Sequence, residues 1–348
     1  MKTKMKAAIF VKPGKIEVQE VEIPKIKENE VLIKVEYCGI CGTDRHIFNG
    51  VYSRDKLPLI AGHEFSGTIA QIGKNVHGLK EGQKVTADIN LSCGTCYYCR
   101  HDQPLMCSEM RQLGIHIDGA FAEYVAVPQE KVYMLAANMD FQDAALLEPI
   151  SCVVRGQKKV NLKMGESVAI IGDGAIALMH VQMARLCGAA PIIVVGKHEE
   201  RLEKAKELGA DHTILVTEDV EGKVKDFTDG RGADVVIEVV GRIATYEQVF
   251  RLVRPGGKIS AFGLSNEGEY SKLEPFKMVL EELSMVGSVA GVKNDLAEAI
   301  TLVRYNRFKL DDFKRMIIPL ENIGEAFERL KTDKHILKVL ISIGNSVQ

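Results

Sequence analysis

The chain has 348 residues, of which 46% are hydrophobic and 26% are charged, so it is long enough for two ordinary globular domains. Its 45 basic and 47 acidic residues leave a formal net charge of −2, which argues against binding nucleic acid or an anionic membrane through the overall electrostatic field. No apolar run is long enough to cross a bilayer, and the N-terminus lacks the pattern of a secretory signal. We therefore expect no membrane association and a cytoplasmic location.

The first third of the chain has the pattern of a β-rich domain. Val31, Ile33 and Val35 alternate with polar residues, which is typical of a strand with one buried face. Further strands are predicted at residues 65–72, 84–89 and 121–127, with turn clusters between them. Little of this region has helical periodicity, so we expect closely spaced strands up to about Val132.

The pattern changes near Asp140 to an alternation of strands and helices. Apolar strands are predicted at residues 167–172, 191–196, 233–240 and 258–263, and helices at 175–187, 199–208 and 244–253. Strands that are apolar throughout, each followed by a helix, indicate a buried parallel sheet. The last segment is mixed, with helices predicted at 295–305 and 323–331 and a strand at 336–343.

A glycine-rich turn lies between the first of these strands and its helix. Residues 172–177 read G-D-G-A-I-A, which fits the G-x-G-x-x-A pattern of a dinucleotide-binding turn. Gly172 permits the tight turn, and Gly174 lets the backbone approach a pyrophosphate. Ala175 and Ile176 begin the helix whose N-terminus faces the phosphates. The strand–turn–helix context predicts a nicotinamide dinucleotide site.

The end of the next strand bears on which dinucleotide is bound. An NAD site usually places Asp or Glu there, on the ribose 2′-hydroxyl, whereas this chain has Gly196. Lys197 and His198 follow, and Arg201 comes one turn later. A glycine leaves room for a 2′-phosphate, and basic side chains can pair with it. The sequence therefore favours NADP(H) over NAD(H), although Lys197 and Arg201 are also explained as solvated charges at the start of a helix.

The eight cysteines are the unusual feature of the composition. Four of them follow the spacing C-x2-C-x2-C-x7-C, at Cys93, Cys96, Cys99 and Cys107. Disulfides are not expected in a reducing compartment or in a chain of this length. Four thiolates in one segment can close a tetrahedral shell around Zn²⁺, which is typical of a structural site. Iron–sulfur ligation also uses clustered cysteines, but its common spacings differ.

A second set of metal-ligand residue types is dispersed along the chain. It comprises Cys38 and Cys41 in the segment CGICGTDRH, His63 and Glu64 in GHE, and Glu148 before a proline. A thiolate, an imidazole and a carboxylate can hold zinc and leave one position open, as a catalytic site requires. Each piece alone is a weak signal, and C-x-x-C also fits a redox pair.

Taken together, these segments resemble the zinc-containing medium-chain dehydrogenases, and within them the polyol (sorbitol-type) and threonine dehydrogenase branch. The resemblance runs from Met5 to about Ile343, through CGICGTDRH, GHEFSG, CGTCYYCRHDQPLMC, DGAFAEYVAVP, DAALLEP, GADVVIEVVG and RPGGKISAFG. It implies an α/β protein that combines a GroES-like β-rich catalytic domain with a Rossmann domain, which is a doubly wound parallel sheet. The implied division is a catalytic domain at 1–150 with a zinc lobe at about 91–108, a cofactor domain at 151–290, and a segment at 291–348 that returns to the first domain.

The resemblance also implies a set of ligands for a catalytic zinc. Cys41 matches the thiolate ligand and His63 the imidazole ligand. Glu64 and Glu148 match carboxylates that bind the metal directly or exchange with water, with Glu148 ranked slightly higher. With the four-cysteine lobe, two zinc ions per chain are implied.

A proton relay is implied in the same way. Thr43 matches its hydroxyl and His46 its end point. Zinc would act as a Lewis acid on the alcohol, the proton would leave through Thr43 to His46, and a hydride would pass to the nicotinamide.

We therefore expect a zinc-dependent oxidoreductase acting on a secondary alcohol, such as a polyol or sugar derivative, with NADP(H). A threonine-type dehydrogenase of an amino-alcohol, using NAD, is the alternative within enzymes. A zinc-dependent nucleic-acid or partner-binding module is the alternative from another class, and the net charge of −2 counts against it. The resemblance implies a homo-oligomer, a dimer or tetramer, with a small-molecule substrate and no nucleic-acid or membrane partner.

Overall fold

The computed structural model describes residues 2–344, and the chain divides into two compact units. The first unit comprises Met1–Pro149, Val292–Asn306 and Leu310–Gln348, and the second comprises Ile150–Gly291 and Arg307–Lys309. The chain thus passes from the first unit to the second near residue 150 and returns near residue 292.

The first part of the first unit consists mainly of short β-strands. They are β1 (Lys4–Lys12), β2 (Lys15–Glu22), β3 (Glu30–Gly39), β4 (Leu59–Ile60), β5 (Glu64–Ile72), β6 (Lys84–Ala87), β7 (Asn90–Leu91), β8 (Arg111–Gln112), β9 (Tyr124–Pro128) and β10 (Val132–Met134). The helices of this part are α1 (Gly42–Phe48), α2 (Tyr97–Arg100) and α3 (Phe141–Ala144), and α4 (Leu147–Val160) follows them. The closely spaced strands predicted up to about Val132 are therefore observed.

The second unit alternates strands with helices. Its strands are β11 (Val168–Ile171), β12 (Ile192–Gly196), β13 (His212–Leu215), β14 (Ala233–Glu238), β15 (Val253–Ala261) and β16 (Ser284–Gly287). Its helices are α5 (Ala175–Leu186), α6 (Glu199–Leu208), α7 (Val220–Asp226), α8 (Ile243–Leu252) and α9 (Pro275–Leu280). Every residue of β11 and β12 is buried, which explains why these strands are apolar throughout instead of alternating.

The strand order of the second unit is that of a doubly wound dinucleotide-binding sheet. The order is β13-β12-β11-β14-β15-β16, and all neighbouring pairs are parallel. Counted along the unit, this is the order 3-2-1-4-5-6, in which the chain reverses direction across the sheet beside the first strand. The Rossmann part of the predicted fold class is therefore confirmed.

The last part of the chain completes the large sheet of the first unit. It contains α10 (Asn294–Arg304), β17 (Met316–Pro319), α11 (Ile323–Thr332) and β18 (Val339–Ser342). Strand β18 pairs parallel with β17 and antiparallel with β3, which gives the order β10-β6-β5-β3-β18-β17, with β9 also paired to β3. Eight of the ten residues of β3 are buried, including Leu32 and Glu36, which alternate with the predicted core residues, so the half-buried strand predicted around Val31–Val35 is wrong in that respect.

The helices of residues 2–344 are short. Among them α4 is the longest, with 14 residues. A membrane-spanning helix needs about 20 mostly apolar residues. In this part of the chain no helix combines the length and the apolar character that crossing a membrane requires.

Candidate metal centres and cofactor site

A thiolate, an imidazole and a carboxylate converge in the first unit. The ligand atoms of Cys41, His63 and Glu64 all lie within 4.8 Å of one another. His63 and Glu64 are buried, and Cys41 is half-buried. Sulfur, nitrogen and oxygen donors gathered in this way fit a zinc ion, whose ligands stand about 2.0–2.3 Å from the metal.

Strand pairing brings these three residues together. Gly39, the last residue of β3, pairs with Glu64 at the start of β5 and with Leu340 of β18. Cys41 lies two residues beyond β3, where it is the N-cap of α1. A Cβ atom at Gly39 would overlap the Glu64 carboxylate, so a side chain at this position would displace a ligand of the cluster.

A buried aspartate that the sequence reasoning missed holds this arrangement. The Asp44 carboxylate accepts hydrogen bonds from the amides of Cys41, at 2.7 Å, and Gly62, at 3.3 Å, and it lies 3.4 Å from Nδ1 of His63. Burial alone would lower the pKa of His63, but the charges of Asp44 and Cys41 raise it well above its usual value. A carboxylate beside a metal-ligand histidine orients the ring. The only signal in the sequence was an acidic residue inside CGTDRH.

Lys338, also missed, brings a buried positive charge to the cluster. Its Nζ forms an ion pair with the Glu64 carboxylate, and the two side chains are 7% and 1% exposed. Burial by itself would lower the pKa of Lys338, but the charges of Glu64 and Cys41 raise it above its usual value, so the side chain is a cation. Lys338 immediately precedes β18, and only the pairing of β18 with β3 places it here. No local pattern in the sequence could have indicated this contact.

The two predicted relay residues lie on α1. Thr43 and His46 are three positions apart and both half-buried, so they share one face of the helix. Burial, and then the charge of Arg45, lowers the pKa of His46. The imidazole is therefore neutral at pH 7, which is the form that can accept a proton.

The second predicted carboxylate, Glu148, is not a member of this cluster. Glu148 lies in the first turn of α4 and is half-buried. Among residues 2–344, the group whose ligand atoms are mutually within 4.8 Å contains Glu64 and does not extend to Glu148. Glu64 is thus the carboxylate that the fold sets beside Cys41 and His63.

Four thiols form a second cluster in the first unit. Their sulfur atoms lie within 4.8 Å of one another, at Cys93, Cys96, Cys99 and Cys107. Hydrogen bonds from the amides of Thr95 and Cys96 lower the pKa of Cys93 to about 6. The amides of Cys93 and Glu109 each donate to Sγ of Cys107 at 3.4 Å. Amide donors stabilise thiolates, and a closed set of four thiolates fits a structural zinc.

The glycine-rich turn joins β11 to α5 in the second unit. Gly172 has a φ of 130°, and a Cβ atom there would lie 2.7 Å from Cγ2 of Val239. Gly174 is the N-cap of α5, and a Cβ atom on it would meet open space. Ala175 and Ile176 form the half-buried first turn of the helix. The backbone at Gly174 is therefore open to a ligand at a helix N-terminus, which fits the pyrophosphate of a dinucleotide.

A carboxylate from this turn fills the space beside Gly196. Oδ2 of Asp173 accepts hydrogen bonds from the amides of Lys197, at 2.6 Å, and His198, at 2.8 Å, and from Nδ1 of His198, at 2.9 Å. Nη1 of Arg201 lies 3.5 Å from Oδ1 of Asp173. A Cβ atom at Gly196 would lie 2.7 Å from Cβ of Asp173. The sequence suggested an empty space here, whereas the structure shows that Asp173 occupies part of it.

Two family profiles match the chain, one in each half. The profile of the alcohol dehydrogenase GroES-like domain matches residues 27–137. The profile of the zinc-binding dehydrogenases matches residues 175–304. The first match contains the cluster at Cys41 and the four-cysteine lobe, and the second begins at the glycine-rich turn.

Curated relatives cover most of the chain. The sorbitol dehydrogenase of Halalkalibacterium halodurans is 34% identical over 332 residues, which are 94% of this chain and 96% of the relative. The L-threonine 3-dehydrogenase of Pyrococcus horikoshii is 39% identical over 269 residues, which are 76% of this chain and 77% of the relative.

Solved structures with the same fold include two with a nicotinamide cofactor bound. One, from Sinorhizobium meliloti, is described as a zinc-binding dehydrogenase bound to NADP; it has a TM-score of 0.93 and 34% identity, and the match covers 98% of this chain and 100% of that one. The other, an alcohol dehydrogenase from Escherichia coli CFT073 in complex with NADH, has a TM-score of 0.91 and 28% identity, with the same coverage.

Proposed function

Because the chain belongs to the zinc-binding dehydrogenases with a GroES-like alcohol dehydrogenase domain, we propose that it transfers a hydride between a secondary alcohol and NADP(H). The observation that carries the proposal is the cluster of Cys41, His63 and Glu64 in a chain whose other unit has a dinucleotide-binding turn. A thiolate–imidazole–carboxylate set leaves a coordination position for substrate, unlike the closed four-cysteine set.

The proposed zinc ligands are Cys41 and His63, with Glu64 and Glu148 as carboxylates that bind the metal directly or exchange with water. When bound, zinc supplies Lewis acidity toward the substrate oxygen. Asp44 keeps the His63 ring oriented, because the ring lies 3.4 Å from its carboxylate. Lys338 competes with the metal for Glu64, because its ammonium already pairs with that carboxylate. The four-cysteine lobe would hold the second, structural zinc.

The proposed proton route runs along α1. In the oxidation direction the Thr43 hydroxyl receives the proton of the substrate alcohol and passes a proton on toward His46. The positions of both residues on one helix face support this route, as does the lowered pKa that keeps His46 neutral at pH 7. In the reduction direction the same groups would return a proton to the carbonyl oxygen.

The proposed substrate class is a polyol or a related sugar derivative, supported by the similarity to a sorbitol dehydrogenase over 94% of the chain. The second candidate is an amino-alcohol with NAD, favoured by the 39% identity to an L-threonine 3-dehydrogenase. Initial rates with sorbitol, arabitol, 2,3-butanediol and L-threonine, each with NAD and NADP, separate the two. The proposal predicts the highest kcat/KM for a polyol, and a higher value for L-threonine would favour the second candidate.

The proposed preference for NADP(H) rests on the charges at the end of β12. Gly196 brings no carboxylate of its own to that point, and Lys197, His198 and Arg201 lie around it. The similar Sinorhizobium meliloti structure is bound to NADP, while the Escherichia coli one is in complex with NADH, so similar structures have been solved with each form of the cofactor. Titration of protein fluorescence with NADPH and NADH tests the preference, and tighter binding of NADH would contradict it.

We also propose that the protein is a homo-oligomer whose subunits meet at the β16 edge of the second unit's sheet. Strand β16 is one of the two edge strands of this sheet, and helix α9, which precedes it in the chain, exposes Phe276, Val279 and Leu280 by 70%, 74% and 67%. An exposed edge strand beside an apolar patch is suited to two-fold pairing with a second copy.

Light scattering after size-exclusion chromatography tests this interface. The wild-type protein should have at least twice the chain mass of 38.4 kDa, and Val279→Glu should reduce the mass. Met164→Glu, at an exposed methionine outside the patch, is the control that should leave the mass unchanged. A wild-type monomer would contradict the proposal.

A cytoplasmic location is proposed on the four-cysteine cluster. Clustered cysteines that fit a metal site are typical of intracellular enzymes, whereas secreted proteins use such cysteines for disulfides. Fractionation of the producing cells, with the protein followed by antibody, tests this, and recovery in a secreted or membrane fraction would contradict it.

A further inference from the structure

We infer that Asp173 is a positioning residue for the 2′-phosphate of the cofactor, an inference that rests on the proposed preference for NADP(H). Asp173 is the residue between the two glycines of the turn, where the dinucleotide motif itself places no requirement on the side chain. Its carboxylate nevertheless makes three hydrogen bonds to the segment that follows β12. They come from the backbone amides of Lys197 and His198 and from the imidazole ring of His198.

The Asp173 carboxylate faces the protein rather than solvent. The side chain is only 10% exposed, and Oδ2 alone accepts three hydrogen bonds, all from Lys197 and His198. A buried carboxylate requires such partners, because an unpaired charge away from water is costly. The negative charge is further offset by Arg201, whose guanidinium lies 3.5 Å away. The carboxylate therefore serves as an internal anchor.

The anchor fixes the groups that would meet a phosphate. His198 is the N-cap of α6, and its own side chain makes no capping hydrogen bond, so the Asp173 carboxylate sets the path of the chain into the helix. It also fixes the ring of His198 and one edge of the Arg201 guanidinium, which are 31% and 17% exposed. A guanidinium can hold a carboxylate along one edge and a phosphate along another.

Gly196 and Asp173 depend on each other. A Cβ atom at Gly196 would lie 2.9 Å from Oδ2 of Asp173, so a side chain at the strand end would expel the carboxylate from its place. The usual NAD site has its acidic side chain at the strand end, directed at the ribose. In this chain the acidic side chain comes from the turn and is bound inward, and basic groups are left around the position that a 2′-phosphate would take.

The experiment compares two fragments of the cofactor by calorimetry on the full-length, zinc-loaded protein. The probes are 2′,5′-ADP, which carries the 2′-phosphate, and 5′-AMP, which lacks it. The measured quantity is the ratio of their dissociation constants in the wild type, Asp173→Asn and Asp173→Ala. A ratio is chosen because a general loss of folding would weaken both probes alike.

The expected result is a selective loss of 2′,5′-ADP binding. Asp173→Ala should weaken 2′,5′-ADP by about tenfold, the equivalent of one charge-assisted interaction, and 5′-AMP by less than about threefold. Asp173→Asn should recover part of the loss, because the amide oxygen still accepts from the backbone of Lys197 and His198. The matched control is Asp211→Ala, which removes a carboxylate that accepts from the amide of Ile192 at the other end of β12 and should leave the ratio unchanged.

An unchanged or increased preference of Asp173→Ala for 2′,5′-ADP would overturn the inference, because the carboxylate would then be neutral toward the phosphate or repel it. If Asp173→Ala does not fold, Asp173→Asn decides alone: a fall in the preference of about threefold or more supports the inference, and no fall overturns it. A wild type that binds 5′-AMP more tightly than 2′,5′-ADP would instead contradict the proposed cofactor preference, so the two failures are distinguishable.

Discussion

Buried charges set the properties of the metal-ligand cluster at the scale of single residues. Glu64 pairs with Lys338, and His63 lies beside Asp44. Each of these two buried carboxylates therefore has a basic side chain of the first unit next to it. Removing one member of such a pair is expected to cost more than the pair contributes, because it leaves an uncompensated charge away from water. The cluster is therefore sensitive to residues that never touch the metal.

The substitution Lys338→Met tests this sensitivity. In zinc-free protein it should lower the free energy of unfolding by about 3 kcal/mol, because Glu64 is left buried and unpaired. With zinc bound the loss should be smaller, because the metal then compensates the charge of Glu64. Urea unfolding with and without zinc measures both values.

The control for that experiment is Lys258→Met, which breaks the partly exposed pair of Lys258 and Glu166 in the second unit. Its effect should not depend on zinc. An effect of Lys338→Met that is equal with and without zinc would show that Glu64 does not serve the metal.

Protonation of His46 should be visible in the pH dependence of alcohol oxidation. Because burial lowers its pKa, the imidazole is neutral at pH 7 and becomes charged only below its usual value of 6.5. The value of kcat/KM should therefore fall on the acid side as His46 is protonated and can no longer accept a proton. In His46→Gln this limb should disappear, and the rate at pH 7 should fall by about 10²-fold or less.

The control variant is His116→Gln, since His116 is half-buried in the same unit and burial lowers its pKa in the same direction. Its acid limb should match the wild type. An acid limb that survives unchanged in His46→Gln would remove His46 from the proposed route.

At the scale of elements, α5 carries a buried histidine that links stability to pH. The ring of His180 packs edge-on against Phe262 at 4.7 Å, and its Nδ1 lies 3.2 Å from Nε2 of Gln157. Burial lowers the pKa of His180 to about 3, whereas the unfolded chain takes up this proton near pH 6.5. The stability that neutral His180 contributes is thus complete above pH 6.5 and is lost as the pH falls from 6.5 toward 3.

Between pH 7 and pH 5 this residue should cost about 2 kcal/mol of unfolding free energy. In His180→Leu the fall in stability over that interval should be smaller by that amount, whatever the stability of the variant at pH 7. Urea unfolding at the two pH values gives the difference. An equal fall in wild type and variant would contradict the buried, neutral state of His180.

The four-cysteine lobe is expected to be a structural element with its own metal. In Cys96→Ser the zinc content should fall by one ion per chain, and the melting temperature by roughly 5–10 °C, because metal binding contributes to folding. Cys187→Ser, at a cysteine outside both clusters, should change neither value. Unchanged zinc content in Cys96→Ser would contradict the assignment of the lobe.

The elements with strong local patterns were predictable from the sequence. Helix α6 has the predicted bounds, and β14 and α10 differ from theirs by a few residues at most, because apolar periodicity and flanking turns reflect local chemistry. Short or irregular elements were missed: α9 and β16 expose most of their residues and have no clear apolar pattern. The burial of eight of the ten residues of β3 was also missed, because it depends on tertiary packing that the pattern of a single strand does not show.

The residues of the candidate sites also fall into those that the sequence could predict and those that it could not. The residue types of the metal clusters and of the glycine-rich turn have motif spacings, so they could be named in advance. Asp44, Lys338 and Asp173 could not be assigned, because their roles follow from contacts that folding creates. The sequence also gave an incomplete explanation of why residue 196 is a glycine. The structure shows that the glycine makes room for the side chain of Asp173 from the glycine-rich turn.

At the scale of the whole molecule, the two units divide the proposed reaction between them. The first unit contains both metal-ligand clusters, and the second contains the dinucleotide-binding turn and the basic groups at the end of β12. Of the eight cysteines, four belong to the four-cysteine cluster, one belongs to the cluster with His63 and Glu64, and three belong to neither cluster. We propose that the two clusters are separate zinc sites with different tasks.

Zinc content and turnover of Cys41→Ala, measured on the same preparation, test that claim most directly. The wild type should bind two zinc ions per chain. Cys41→Ala should keep the ion of the four-cysteine lobe, lose the other, and show no detectable alcohol oxidation while its melting temperature stays close to that of the wild type. Retained turnover in Cys41→Ala, or loss of both zinc ions together, would contradict the division of tasks between the two clusters.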